Sequence, residues 1–421
     1  MHNSKIGKPR LQEADRSQLR LVPTDLNGLV AGDDQVRSVW AFVEGLDLSG
    51  FYALVKAVEG EPGRPPIDPK ILLALWIQAT LDGIGSAREI ARLCESHVKY
   101  QWICGGVIPG YHRLSDFRSQ SEAQLDALLT DSVAVLMDKG LVTLERVAQD
   151  GMRVRACAGA GSFRTRKRLG ELRKIAKEQV DILKNETDQD GSAANRRRDA
   201  AQRRSAEDRA RRITEALAEL PEIEARKKSN NGKKKTEARS STTDPHARVM
   251  KMADGGFRPA LNVHLVSDTK SKLIAAVEVN NRGTDHGMTA PLAEQVHHRH
   301  GKNPAEWLQD GGCVTLDGID ALAERGTKVI APIRPPRGSE RRRATEVRAT
   351  DSPSVADWRT RMATEYAKTV YRQRGATAEL VNAQARGHGL MQFLVCGVNK
   401  ARAVVLLLAI THNMRRGWAL A

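Results

Sequence analysis

The stretch Tyr371-Arg-Gln-Arg374-Gly-Ala-Thr-Ala-Glu379-Leu-Val-Asn382-Ala-Gln-Ala-Arg386 reads as helix from Ala376 on. Glu379, Asn382 and Arg386 stand at i, i+3 and i+7, so they share one face. A carboxylate, an amide and a cation then lie in one row, with Arg374 just upstream. Spacing alone describes a solvated helix face with an incidental ion pair equally well. Two further acids give the row a context. Asp150 lies inside the extended run Arg146-Val-Ala-Gln-Asp150-Gly-Met-Arg-Val-Arg, where propensity disfavours Asp. It either opens a turn with Gly151 or is kept for chemistry. Asp310 closes the short apolar run Glu306-Trp-Leu-Gln-Asp310, and two glycines follow it. Three carboxylates gathered without fixed cations are costly to bury. A divalent ion relieves that cost, and oxygen donors of this kind suit Mg2+ or Mn2+ rather than zinc. Two such ions about 3.5–4 Å apart activate an attacking oxygen and stabilise a leaving one in a phosphoryl displacement.

Placing these acids together requires a sheet. From Leu144 the order reads strand, long insertion, strand, strand, helix, strand, helix, strand, helices. Strands at Leu261–Asp268 and Lys272–Val279 form a hairpin, and Lys328–Ile333 is the last strand. If the first and fourth strands are neighbours, Asp150 and Asp310 face each other. Glu379, on a helix packed across the sheet, then completes the trio. The insertion, residues 160–248, is charged throughout, with Leu169, Leu172, Ala176 and Leu183, then Ile213, Leu217 and Leu220, at helical spacing. It reads as two helices, as in a coiled-coil hairpin around Asp188–Ser192, followed by a disordered basic tract from Arg226 to Lys235.

Residues 1–140 read as a helical region. Residues 1–25 form a loose arm, and Asp34–Ala57 carries two short helices. Gly60–Pro66 is a linker, and Asp68-Pro69 opens a strong helix to about Leu81. Ser86-Ala-Arg-Glu89 is a capping box. The helix it opens and the next, with Lys99, Tyr100 and Trp102, look like a helix-turn-helix with exposed aromatics. Plain helical packing explains the pair equally well. A single long helix from His112 to Lys139-Gly140 follows. Arg88, Lys99, Arg113 and Arg118 are the candidate DNA contacts of this region. Residues 334–352 are a Pro/Arg-rich linker.

The 421 residues suggest two or three domains. A net charge of +16 and a pI near 9.8 make a polyanion the expected partner. The longest apolar run, Ala403 to Ile410, is too short to span a bilayer and fits a buried helix. The N-terminal residues have no apolar core and do not read as a secretory signal. The five cysteines, Cys94, Cys104, Cys157, Cys313 and Cys396, are scattered without a CxxC. Neither a zinc site nor a disulfide framework is indicated, and a reducing cytoplasm is the simplest setting.

The chain resembles a DDE transposase of a bacterial insertion sequence. About residues 30–120 are similar to the InsH-type N-terminal transposase domain. Val147-Ala-Gln-Asp150-Gly resembles the first-aspartate strand of such enzymes. Trp307-Leu-Gln-Asp310-Gly-Gly, followed by Leu322-Ala-Glu-Arg-Gly, resembles the second-aspartate strand and its helix. Tyr371-x2-Arg374-x4-Glu379-x6-Arg386 resembles the signature that closes the triad. The signature usually has Lys where Arg386 stands, and many relatives have a Pro and an aromatic at Leu380 and Asn382.

The resemblance implies a mixed α/β fold. A ribonuclease H-like catalytic core, residues 141–421, is interrupted by 160–248 and preceded by an all-helical DNA-binding domain, residues 1–140. It also implies that Asp150, Asp310 and Glu379 hold Mg2+ or Mn2+, while Tyr371, Arg374 and Arg386 position DNA phosphates. Asp285, in the Asn281-Arg-Gly-Thr-Asp285 loop, is a rival acid that the family suggests is structural or DNA-facing; Asp268 is a weaker rival. The expected activity is binding of terminal inverted repeats, metal-dependent cleavage and strand transfer by direct transesterification. The expected assembly is a dimer or more on double-stranded DNA, in a cytoplasmic, nucleoid-associated setting. A nuclease-only or catalytically inactive DNA-binding relative is the alternative.

Overall fold

The computed structural model describes residues 25–55, 57, 65–185, 193–229, 237–334 and 345–420. The expected arm, most of the Gly60–Pro66 linker, the insertion loop after Asn185, most of the basic tract and much of the 334–352 linker lie outside these residues.

The helical part begins with α1 (Gln35–Glu44), α2 (Ser49–Tyr52) and α3 (Pro69–Leu81). Asp68 caps α3 by accepting from the Lys70 amide, and Pro69 sits where no amide hydrogen is needed. Residues 72 to 79 of α3 are all buried, so it runs through the middle of its bundle. Then come α4 (Ala87–Ser96), α5 (Val98–Cys104), α6 (Tyr111–Gln120) and α7 (Glu122–Asp138). The single long helix expected from His112 to Lys139 is two helices, interrupted at Ser121. Tyr100, expected to be exposed, is buried and donates to Asp82 at 2.7 Å.

Strand β1 (Arg146–Arg155) carries Asp150 and Gly151 in mid-strand, paired with Leu265 and His264. Asp150-Gly151 is therefore not a turn. The insertion follows as β2 (Phe163–Thr165), α8 (Arg166–Asn185), α9 (Ala193–Ser229) and β3 (Arg239–Ser241). Its two helices pack through Leu169, Ala176, Ile213, Ala216 and Leu220, while β2 and β3 pair at its base. Arg226 to Ser229, expected in a disordered tract, belong to α9. The rest of the sheet is β4 (Arg248–Lys251), β5 (Phe257–Asp268), β6 (Ile274–Asn280), β7 (Glu306–Leu308) and β8 (Lys328–Ile330). Helix α10 (Thr289–His300) precedes β7 and α11 (Leu316–Glu324) precedes β8. The chain closes with α12 (Pro353–Met362), α13 (Glu365–Arg374), a π turn (Gly375–Glu379), α14 (Leu380–Gly387) and α15 (Val398–Leu420).

The sheet order is β4-β5-β1-β7-β8, with β6 also on β5. β1 runs antiparallel to β5 and parallel to β7, and β7 runs parallel to β8. This is a ribonuclease H-like arrangement. The short β2, β3 and β4 are additions to the expected order.

Helix α15 is apolar almost all round because it is covered on several sides. It packs on α7, α3 and β6, and Asn413 bonds both the amide and the carbonyl of Ile274. One apolar cluster runs from α1 through α15 to Met152, Val154, Leu261 and Val263 on one face of the sheet. A second cluster, with Leu292, Trp307, Ile319 and Trp358, covers other parts of it.

Candidate active site

Asp150 stands where β1 runs past the end of β7. Their parallel register pairs Ala148 with Leu308. Two residues further on each strand come Asp150 and Asp310, so the two acids reach the same level at a strand edge that β7 no longer covers. Gln149, next to Asp150, points to the other face, where it accepts from the Trp307 indole at 2.9 Å. Asp310 is exposed and starts a tight loop. A Cβ on Gly311 would fall 2.7 Å from the Pro332 carbonyl oxygen, and one on Gly312 would fall 2.6 Å from the Arg334 guanidinium. The glycine pair lets this loop lie against the end of β8.

Both oxygens of Asp150 are engaged from the helix that follows the linker. Arg374 donates to Oδ1 at 2.7 Å and Asn382 donates to Oδ2 at 2.8 Å. The π turn makes this convergence possible. Eight regular α-helical steps would leave Asn382 about 80° around the axis from Arg374. A π turn absorbs one residue and cuts the separation to about 20°. The same turn moves Glu379 from about 140° to about 40° from Arg374. Glu379 is exposed, and its Oε1 lies 3.6 Å from where a Cβ on Gly375 would sit, so its carboxylate folds back beside Arg374. Arg386 is exposed on α14, whereas Asn382 is buried on Asp150. The expected row is thus uneven: Asn382 is buried on Asp150, and Glu379 and Arg386 are exposed.

Burial pushes the Asp150 carboxyl above its ordinary range, Arg374 opposes the shift, and Asp285 and Asp310 add to it. At Arg374 burial works against the charge, but Asp150, Tyr371, Asp310 and Cys313 together hold the guanidinium above its ordinary value. The pair is asymmetric: the cation is secure and the half-buried carboxylate is the costly partner. Tyr371, half-buried, has its phenol raised first by burial, with Arg374 opposing and Asp310 adding. Burial and the same three aspartates push the Cys313 thiol up to about 12.

Among the described residues no three His, Cys, Asp or Glu side chains form a ready-made metal cluster. The donor chemistry nonetheless suits a hard divalent ion. Asp150 and Asp310 are carboxylates in each other's field, and Arg374 already supplies one compensating charge there. The rival Asp268 is a turn residue, accepting from the Ser271 amide and hydroxyl at 2.7 Å. Sequence reasoning left Asn382 without a role of its own; its position eight residues after Arg374 carries meaning only with the π turn.

The four candidate DNA contacts of the helical part separate into two kinds. Arg88 and Arg113 are exposed, with Arg88 lying over the Tyr111 ring. Lys99 is part-buried and paired with Asp34 at 3.2 Å. Arg118 is a correction. It is buried, stacked 4.1 Å from the Trp76 ring, and donates to the Gly85 carbonyl at 2.7 Å. It packs the bundle interior and cannot reach a phosphate from there.

Residues 25–120 match a family described as a transposase domain (DUF772), and residues 336–418 match a family described as a transposase DDE domain. The second match contains Tyr371, Arg374, Glu379 and Arg386; Asp150 and Asp310 lie outside both. No curated protein and no solved structure matches the chain. The two family matches support a DDE transposase of an insertion sequence, and the ribonuclease H-like fold is consistent with that family. Members of that family generally use divalent metal ions. No helix among the described residues is long and apolar enough to cross a membrane.

Proposed function

We propose that this transposase binds the terminal inverted repeats of its own element, cleaves there to free 3′-OH ends, and joins those ends to target DNA by direct phosphoryl transfer. The observation that carries the reading is that Asp150 and Asp310, each two residues beyond the paired Ala148 and Leu308, lie in each other's field, with Arg374 and Asn382 fixing Asp150.

Asp150, Asp310 and Glu379 would hold Mg2+ or Mn2+. When bound, the ion supplies Lewis-acid activation of an attacking oxygen and charge stabilisation of a leaving one. Arg374 and Asn382 orient Asp150 and limit its rotation. Arg386, exposed as Glu379 is, would meet a DNA phosphate, as would Tyr371 and Arg374. Water serves as the first nucleophile and the freed 3′-OH as the second, so no covalent protein–DNA intermediate is required.

Residues 1–140 act as the DNA-binding part, with Arg88, Lys99 and Arg113 its contacts, and 141–421 as the catalytic part, with 160–248 inserted. Two ends must be processed together, so the protein works as a dimer or more on double-stranded DNA, in the bacterial cytoplasm at the nucleoid.

The test is cleavage of DNA carrying the element's own ends, with Mg2+, by wild type and by Asp150→Asn, Asp310→Asn and Glu379→Gln. Metal-dependent nicking lost in all three, with end binding retained, is the expected result. Survival of nicking in Glu379→Gln would remove that residue from the site. Specific end binding without any wild-type nicking would favour the inactive relative, and nicking without joining the nuclease.

A further inference from the structure

Asp285 is the acid for which the reading above has no use, and it sits one residue from Asp150. A Cβ placed on Gly151 would fall 2.4 Å from Asp285 Oδ1 and 2.8 Å from its Cγ. The same Cβ would lie 3.2 Å from Cε1 of His264. No side chain other than hydrogen leaves room for both groups. Successive strand residues point to opposite faces, so Asp285 stands across β1 from Asp150. The Asp285 charge nonetheless reaches the Asp150 carboxyl.

Asp285 is held there. Asn262 of β5 donates to Oδ1 at 2.7 Å, and the His264 Nδ1 lies 3.9 Å from the same oxygen. Among the described residues no hydrogen bond reaches Oδ2. Asn262 and His264 are both fully buried, two apart on one face of β5. Among the described residues neither ring nitrogen of His264 has a hydrogen-bond partner, and neither has Asn262 Oδ1. Buried polar groups of this kind are rarely left without partners in a purely structural core. Three such atoms beside a positioned carboxylate mark a place built for a polar guest.

We infer that Asp285 contributes a carboxylate to the cation-holding centre, from the face of β1 opposite Asp150, with Asn262 fixing Oδ1 and leaving Oδ2 to face the guest. The inference rests on the proposed reading of Asp150 and Asp310 as cation ligands. It adds a fourth acid to Asp150, Asp310 and Glu379. It also assigns Gly151 a role: its missing side chain is what admits Asp285.

The test is Mn2+ binding to the full-length protein, followed by the loss of the free-ion electron paramagnetic resonance signal. The proteins are wild type, Asp150→Asn, Asp285→Asn and Gly151→Ala. Asn at 285 keeps an acceptor for Asn262, and thermal unfolding checks that each variant folds. Asp285→Asn is expected to weaken Mn2+ binding tenfold or more. Gly151→Ala, which keeps the carboxylate but displaces it, should act in the same direction. Wild-type affinity in both folded variants would overturn the inference, and if Asp150→Asn still weakens binding, the reading of Asp150 stands. A wild type that binds no Mn2+, or an Asp150→Asn variant that binds it unchanged, would overturn that reading and the inference with it.

Discussion

Arg374 donates a 2.7 Å hydrogen bond to Asp150, joining residues 224 positions apart. The contact ties the helix of the C-terminal signature to the middle strand of the sheet. Arg374→Gln should cut end cleavage by about a hundredfold, the scale of a misplaced catalytic group. It should also lower the unfolding midpoint, because the half-buried Asp150 loses its opposing charge. Arg374→Lys should restore part of the stability. Cleavage by Arg374→Gln within twofold of wild type would remove the pair from the mechanism.

The π turn makes a second prediction. Inserting one Ala after Ala376 adds a helical step and rotates Glu379 and Asn382 by about 100° relative to Arg374. Helix content, read by circular dichroism, should be unchanged. Cleavage should drop by at least about a hundredfold. An active insertion variant would mean that the register of this helix does not matter.

Arg402 of α15 reaches Glu122 at 2.6 Å and Asp126 at 2.7 Å on α7, and Arg299 of α10 also pairs with Asp126. Glu278 of β6 lies 3.8 Å away, its carboxyl raised by burial and opposed by Arg402. Removing the central cation takes it from Glu122 and Glu278 and leaves Asp126 with Arg299 alone. Arg402→Met should destabilise the fold by about 3–5 kcal/mol, the scale of breaking a buried pair. Denaturant unfolding measures it, and a loss below about 1 kcal/mol would place the network at the solvent-screened end of the range.

Stability should fall in mild acid through His412. Burial lowers this imidazole to about 4, with the bond to the Lys272 carbonyl opposing. Its folded value is below the ordinary value of about 6.5. The unfolded chain therefore takes up the proton first, and stability present above pH about 6.5 is lost as pH falls toward 4. The loss from this group is about 3 kcal/mol. His412→Gln, which keeps a donor for Lys272, should flatten the slope of unfolding midpoint against pH between 6.5 and 4. An unchanged slope would assign the acid sensitivity elsewhere.

Arg118 and Arg113 should part company. Arg118→Ala should lower the unfolding midpoint, since it empties a buried cation–π stack. Arg113→Ala should leave the midpoint alone and weaken DNA binding, reducing the salt dependence of the affinity by about one unit of log–log slope. A salt slope unchanged in Arg113→Ala would take this helix off the DNA.

The strand-and-helix order, the insertion's helix pair and the pairing of Asp150's strand with the strand that leads to Asp310 were legible in the sequence. Each rests on local signals: alternation around Asp150, a strand ending in Asp-Gly-Gly, and leucines at helical spacing. The apolar run at Ala403–Ile410 likewise reads directly as a buried helix, and it is the middle of α15. The net charge pointed to a polyanion.

What the sequence left open is set by contacts between distant segments. Nothing local distinguishes Arg118 from Arg113, five positions earlier on the same helix; Trp76, on another helix, makes the difference. Asp150-Gly151 reads as a turn until β5 pairs across it. A one-residue π turn leaves no mark in a periodic pattern, yet it decides that Asn382 meets Asp150 and brings Glu379 round toward Arg374. Residue types and spacing determined which groups were available for chemistry. Only the packing of one helix on one strand edge decided which of them meet, because side-chain direction depends on register, and a single inserted residue resets it.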